Sequence, residues 1–177
     1  MARRLFVFDQ PERFVAGTIG DPGGRTFFLQ AKQGRAIASV ALEKVQVSAL
    51  ADRLTDLLEA VEDTGGQGPR AHDEAPLDEP LVELFRVGLM ALAWDPDSRQ
   101  VVIEAQPQLE LEEDDSPVDP TTELPDLMQV RLDPTQAQAF VRRARQLVAA
   151  GRPACPFCGE PLEPTGHFCA QSNGLLN

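Results

Sequence analysis

The chain has 177 residues, 42% of them hydrophobic, which is room for one ordinary domain of roughly 150 residues with a real core, plus an appendage. Its formal net charge of -12 is concentrated in the middle: 7 basic against 4 acidic residues in 1–50, 5 against 21 in 51–132, and 4 against 3 in 133–177. Such a field repels nucleic-acid backbones, no apolar run approaches the roughly 20 residues of a membrane span, and the Arg3-Arg4 pair is not followed by a signal-peptide core, so nucleic-acid and membrane partners are disfavoured. All three cysteines cluster near the C-terminus in place of dispersed disulfide pairs, and the expected location is cytoplasmic.

Leu5-Phe6-Val7-Phe8 opens a predicted strand that Asp9-Gln10-Pro11-Glu12 turns. Strands follow from Phe14 to Ile19, from Arg25 to Lys32 and from Arg35 to Leu42, divided by Asp21-Pro22-Gly23-Gly24 and by the two-residue hairpin signal Gln33-Gly34. Four strands with no helix between them predict an antiparallel meander. From Lys44 to Asp63 the period changes to 3.6, with Val47, Leu50, Ala51, Leu54, Leu57, Leu58 and Val61 on one stripe of an amphipathic helix. Thr64-Gly65-Gly66 ends it, and the polar stretch to Pro80, His72 included, reads as an exposed loop.

Leu81 to Trp94 is apolar almost throughout, which predicts a long strand buried on both faces. A turn at Asp95-Pro96-Asp97-Ser98 leads to a further strand at Gln100–Ala105. Residues 104–126 hold nine acids, four prolines and no Lys or Arg, so an acidic, mobile loop is expected near 110–126. Met128 to Leu132 is the last strand, and Asp133-Pro134 starts a second helix with Asp as N-cap and Pro at the first helical position. The expected fold is α+β: an antiparallel sheet built from two meander-plus-helix units (ββββα-βββα), in a domain of residues 1–152, with a zinc-ribbon-like tail at 153–177. The two units look like a loose duplication, without a residue-level repeat.

That tail carries the chemistry. Cys155, Cys158, His167 and Cys169 read C-x2-C-x8-H-x-C, four soft ligands that fill the tetrahedron of a structural zinc ion, Zn2+. Gly159 allows the positive φ after the second ligand, and the two-residue step from His167 to Cys169 puts both positions on one face of an extended segment. A redox C-x-x-C or a catalytic metal is the competing reading, although a redox motif belongs at a strand-to-helix junction and not in a proline-rich tail.

Other candidates are weaker. Gly17-Thr18-Ile19-Gly20 and Gly23-Gly24-Arg25-Thr26 have no helix behind them to bind phosphate and read as hairpins. The acidic run 110–115 lacks calcium-loop spacing, and Trp94 reads as a core or rim residue. Arg142, Arg143, Arg145 and Arg152 form a possible anion-binding or partner-binding face beside the tail, or else complement the acidic third of the same molecule.

Three blocks, Arg13-Phe-Val-Ala-Gly-Thr-Ile-Gly20, Arg25-Thr-Phe-Phe-Leu-Gln-Ala31, and Cys155-Pro-Phe-Cys-Gly followed by Gly166-His-Phe-Cys and Asn173-Gly174, resemble an uncharacterised bacterial family: the domain of unknown function numbered three thousand and ninety. The resemblance spans nearly the whole chain and implies no established activity. Ala170-Gln171 departs from the proline and arginine expected there, which weakens an anion-binding role for that corner. The resulting expectation is a non-enzymatic protein-interaction (adaptor) protein with a protein partner and a structural zinc. An enzyme acting on a small phosphorylated or nucleotide substrate is the alternative, and RNA binding through the zinc tail a further one.

Overall fold

The computed structural model describes residues 2–21, 23–61, 73–109, 124–150, 155–158, 167–169 and 174–176. Its body is a mixed α+β fold. Strands β1 (Leu5–Asp9), β2 (Arg13–Ile19), β3 (Thr26–Gln33) and β4 (Ala36–Leu42) precede helix α1 (Lys44–Ala60). Strands β5 (Glu83–Asp95), β6 (Gln100–Pro107) and β7 (Leu127–Leu132) precede α2 (Pro134–Ala149), and β8 (His167–Cys169) and β9 (Gly174–Leu176) form a separate hairpin. Most of the acidic segment, His72 and Arg152 lie outside the described residues. No described helix is long and apolar enough to cross a membrane.

The seven main strands run in the order β1-β7-β6-β5-β4-β3-β2, and the sheet is mixed, not antiparallel as the sequence suggested. Strands β2-β3-β4 and β5-β6-β7 are the expected meanders, but β1 pairs in parallel with β7, and β4 pairs in parallel with β5. The meander fails at Gln10-Pro11: Gln10 has a positive φ and gives its N–H to the Arg131 carbonyl, continuing the β1–β7 ladder, while Pro11 has no N–H to offer a hairpin. The architecture is therefore one strand followed by two βββα units.

Seven strands laid flat would separate β1 from β2 by about 29 Å, yet the step from Asp9 to Arg13 spans at most about 14 Å. The sheet must curl until its two edges approach, and Gln33 of β3 donates to the Asp9 carbonyl at 3.3 Å. Alternate residues fill the face that meets the helices: Phe14 and Ala16, Phe27, Leu29 and Ala31, Val40 and Leu42, Val101 and Ile103, Val130 and Leu132 all join one cluster with Val47, Leu50 and Leu54 of α1 and Ala137, Phe140 and Ala144 of α2. Both helices begin alike, with Gln46 and Gln136 reaching back to the backbone N–H of their N-caps, Glu43 and Asp133. Asp133 also takes the Gln136 N–H, as its sequence position required.

The duplication is visible residue by residue once strand registers are compared. Leu29 pairs with Ala16 and Val40, as Ile103 pairs with Leu92 and Val130. Leu42-Glu43 enters α1 as Leu132-Asp133 enters α2. Gln46 Nε2 donates to the Val87 carbonyl at 3.1 Å and Gln136 Nε2 to the Pro11 carbonyl at 3.0 Å, each tying its helix to the chain at the first strand of the other unit. The cross-strand pair Gln30–Ser39 (3.1 Å) likewise corresponds to Gln129–Glu104 (2.7 Å). On this correspondence Ala16 matches Leu92, Phe140 matches Leu50, and Arg143 matches Arg53.

Candidate functional site

In the tail, Cys155 is buried, Cys158 is half-buried, and a turn runs through Pro156–Cys158. His167 and Cys169 stand on β8, which pairs antiparallel with β9, so the extended backbone expected of the H-x-C half is present. Three thiols and an imidazole suit zinc in donor softness and number. The side chains of His167 and Cys169 lie outside the described residues, and no cluster of three possible ligands occurs among the described ones.

The arginines of α2 separate. Arg142 and Arg145 line one recess of about 540 Å3 with Thr55, Leu58 and Glu59 of α1, where Arg142 Nη2 is buried without a hydrogen-bond partner among the described residues. Arg145 meets Thr55 Oγ1 at 3.1 Å and Asp52 at 3.5 Å. Arg143 points the other way. Its Nε donates to the Ala16 carbonyl on edge strand β2 at 2.8 Å, and its Nη1 to the Asp73 carbonyl at 2.8 Å and carboxylate at 3.1 Å.

Asp73 begins a stretch without regular secondary structure that wraps around the Arg13 guanidinium and crosses the outer face of β2 and β3. Arg13 holds it with bonds to the Asp73 carboxylate at 2.6 and 3.0 Å, to the carbonyls of Ala75 and Pro76, and to Asp78 at 2.8 Å. Lys32 binds Asp78 at 3.0 Å, Gln30 pairs with the Asp78 backbone, and Leu77 rests on Gly17 so closely that a Cβ there would collide with it. Hydrogen bonds from Arg13 hold the Asp73 and Asp78 carboxyls below the usual carboxylate range, while burial lowers the pKa of the Arg143 guanidinium. Arg131 and the Ser98 turn bring Asp95 to about 2. Each of these shifts belongs to a structural ion pair or to burial beneath one.

The two units place equivalent clefts between a helix and the first strand of the other unit. Between α2 and β2 lies a remnant of about 120 Å3, lined by Phe14, Val15, Gln136, Ala139, Phe140, Arg143 and Asp73. Between α1 and β5 lies a groove of about 830 Å3, lined by Met90, Ala91, Gln46, Ala49, Leu50 and Arg53 at the matching positions. In the first, Phe14 stacks on Phe140 with centroids 4.8 Å apart, and Asp73 plugs the opening. In the second, Met90 and Leu50 replace the rings.

Strand β5 overturns the expectation of burial on both faces. It pairs with β4 only across Glu83–Arg86, because β4 then turns into α1, so from Val87 onward no described strand lies on that side. Gly88, Leu89, Ala91 and Ala93 are exposed, Leu89 at 60%, and Trp94 is a half-buried rim residue. A long apolar run meant a strand, but its neighbours could not be read from it.

A protein family described as "Protein of unknown function (DUF3090)" matches residues 6–169. The chain belongs to this family. The match takes in both βββα units and the stretch from Cys155 to Cys169, so the family includes the first part of the tail as well as the curled sheet. Among curated proteins and among solved structures, nothing matches the chain.

Proposed function

We propose that the protein is a non-enzymatic adaptor that receives a protein partner on the groove between α1 and β5, with a structural zinc ion bound by Cys155, Cys158, His167 and Cys169. The observation that carries this reading is the exposed apolar strip Leu89, Ala91 and Ala93 on a strand edge that no described strand covers, beside a groove of about 830 Å3. An uncovered apolar strand edge invites association, and soluble proteins ordinarily cover or charge it. Perturbed acidities support a binding role over catalysis, because they mark ion pairs that hold the fold together. Zinc spans two short segments that could not build a core of their own, and its binding energy orders them.

The test is a photo-crosslinking residue at Leu89 in cells, with one at exposed Asp97 as comparison. A discrete protein adduct from position 89 and none from 97 is expected. Equal labelling from both, or no adduct from 89, would remove the adaptor reading.

A further inference from the structure

We infer that the α1/β5 groove takes a short peptide segment of a partner protein, apolar along Leu89, Ala91 and Ala93, with one carboxylate that binds Arg53. This rests on the adaptor reading and adds the chemistry of the occupant. The internal repeat points to this occupant, because the first unit shows how the equivalent cleft is filled. There the occupant is the irregular stretch 73–78. It delivers the Asp73 carboxylate and carbonyl to Arg143, which also holds the Ala16 carbonyl, and then lays Leu77 against Gly17 of β2. Gly17 and its neighbour Val15 are both buried.

Arg53 stands where Arg143 stands, and Leu92 where Ala16 stands, and both line the α1/β5 groove. Yet Arg53 is exposed and makes no hydrogen bond or ion pair with a described residue. The positions matching Val15 and Gly17, Ala91 and Ala93, are exposed too. The receptor half of the arrangement is therefore repeated, and no occupant half is found among the described residues. The differences define what would fit. Lys32 and Arg13, the two cations that hold Asp78, correspond to Gln106 and Leu89, so a second acid in the occupant has no cation to meet and an apolar side chain replaces it. A single carboxylate remains, for Arg53. An arginine with aligned hydrogen-bond donors discriminates that group strongly, and the strip supplies the apolar contact.

The probe is a fluorescein-labelled peptide copied from residues 73–78 with two positions changed, Glu74→Gln and Asp78→Leu, titrated onto the full chain by anisotropy. Saturable binding is expected, weakened about tenfold or more by Arg53→Glu in the protein and equally by Asp73→Asn in the peptide, with no further loss when both are combined. Arg142→Ala, in the other recess, is expected to leave it unchanged. Arg53 is exposed, and an unchanged unfolding curve for Arg53→Glu separates lost binding from lost folding. No saturable binding, or equal affinity for wild type and Arg53→Glu, overturns the inference. So does an internal crosslink from Leu89 to residues 110–123 or 153–177, which would give the strip to the chain itself. A partner crosslinked at Leu89 and indifferent to Arg53→Glu would leave the adaptor reading in place and remove this one.

Discussion

Asp73→Asn isolates the device that closes the first cleft. The carboxylate accepts from Arg13 at 2.6 and 3.0 Å and from Arg143 at 3.1 Å, and the two arginine side chains are only 15% and 14% exposed against 32% for Asp73. Breaking a fully buried pair by neutralising one partner costs about 3–5 kcal/mol, and exposed pairs are worth about 0–1. With the aspartate about one-third open to water and Arg13 retaining Asp78, about 2 kcal/mol is expected at neutral pH. For a chain of this size that lowers Tm by roughly 4–8 °C, read by circular dichroism. The pH dependence fixes the cause. Asp73 has its carboxyl lowered from 3.8 in the folded state, so its contribution is complete well above 3.8 and is lost as pH falls through the depressed folded value. The gap between wild type and Asp73→Asn should therefore close in acid. A variant melting within about 1 °C of wild type at neutral pH, or a gap that persists undiminished in acid, would refute the account.

Gly17→Ala places a methyl group against Leu77 and should destabilise by about 1–3 kcal/mol while loosening the 73–78 stretch, seen as faster proteolytic cleavage there; unchanged stability and cleavage would count against the packing described. Gln46→Ala and Gln136→Ala each remove a cap bond and a bond to the opposite unit, so each should cost about 1–2 kcal/mol in urea unfolding, and a silent partner in that pair would break the equivalence of the units. Metal analysis should return about one zinc per chain, lost in Cys158→Ser with the main unfolding transition preserved, whereas a metal-free protein would remove the zinc assignment.

Local chemistry was legible in the sequence where a residue's own backbone preference decides the outcome. Asp133-Pro134 starts α2, the stripe Val47, Leu50, Ala51, Leu54 and Leu58 faces the core, and the β3–β4 hairpin turns at Gly34 as expected, although one residue later than the Gln33-Gly34 signal, through Gly34-Arg35 with Gln33 paired to Ala36. Long-range pairing was not legible. Whether Leu5–Asp9 hydrogen-bonds to β2 or to β7 depends on how far the whole sheet curls, and only the missing N–H of Pro11 hinted against a hairpin. The apolar run of β5 suggests burial, and that inference assumes a strand on both sides, whereas β4 leaves after Leu42. The repeat was hidden for a related reason: equivalent positions keep size and role, as in Leu50 and Phe140 or Gln30 and Glu104, more than identity. The Arg143–Asp73 contact joins segments far apart in the chain, with nothing in either segment to announce the other.

The repeat also accounts for the arginines of α2. In a duplicated pair of helices packed side by side, equivalent positions near the local dyad face one another, so a charged residue in both copies would meet its like. Thr55 and Arg145 are such a pair, and they touch at 3.1 Å. Beside them the copies carry opposite charge at one position, Asp52 on α1 where α2 has Arg142, and Asp52 lies 3.5 Å from Arg145. That exposed pair is worth little in stability, but like charges at the same separation would oppose the packing. Divergence in charge thus lets the helices pack against each other, which leaves Arg53, on the far side of α1, as the arginine of the repeat that lines a groove unfilled by any described residue.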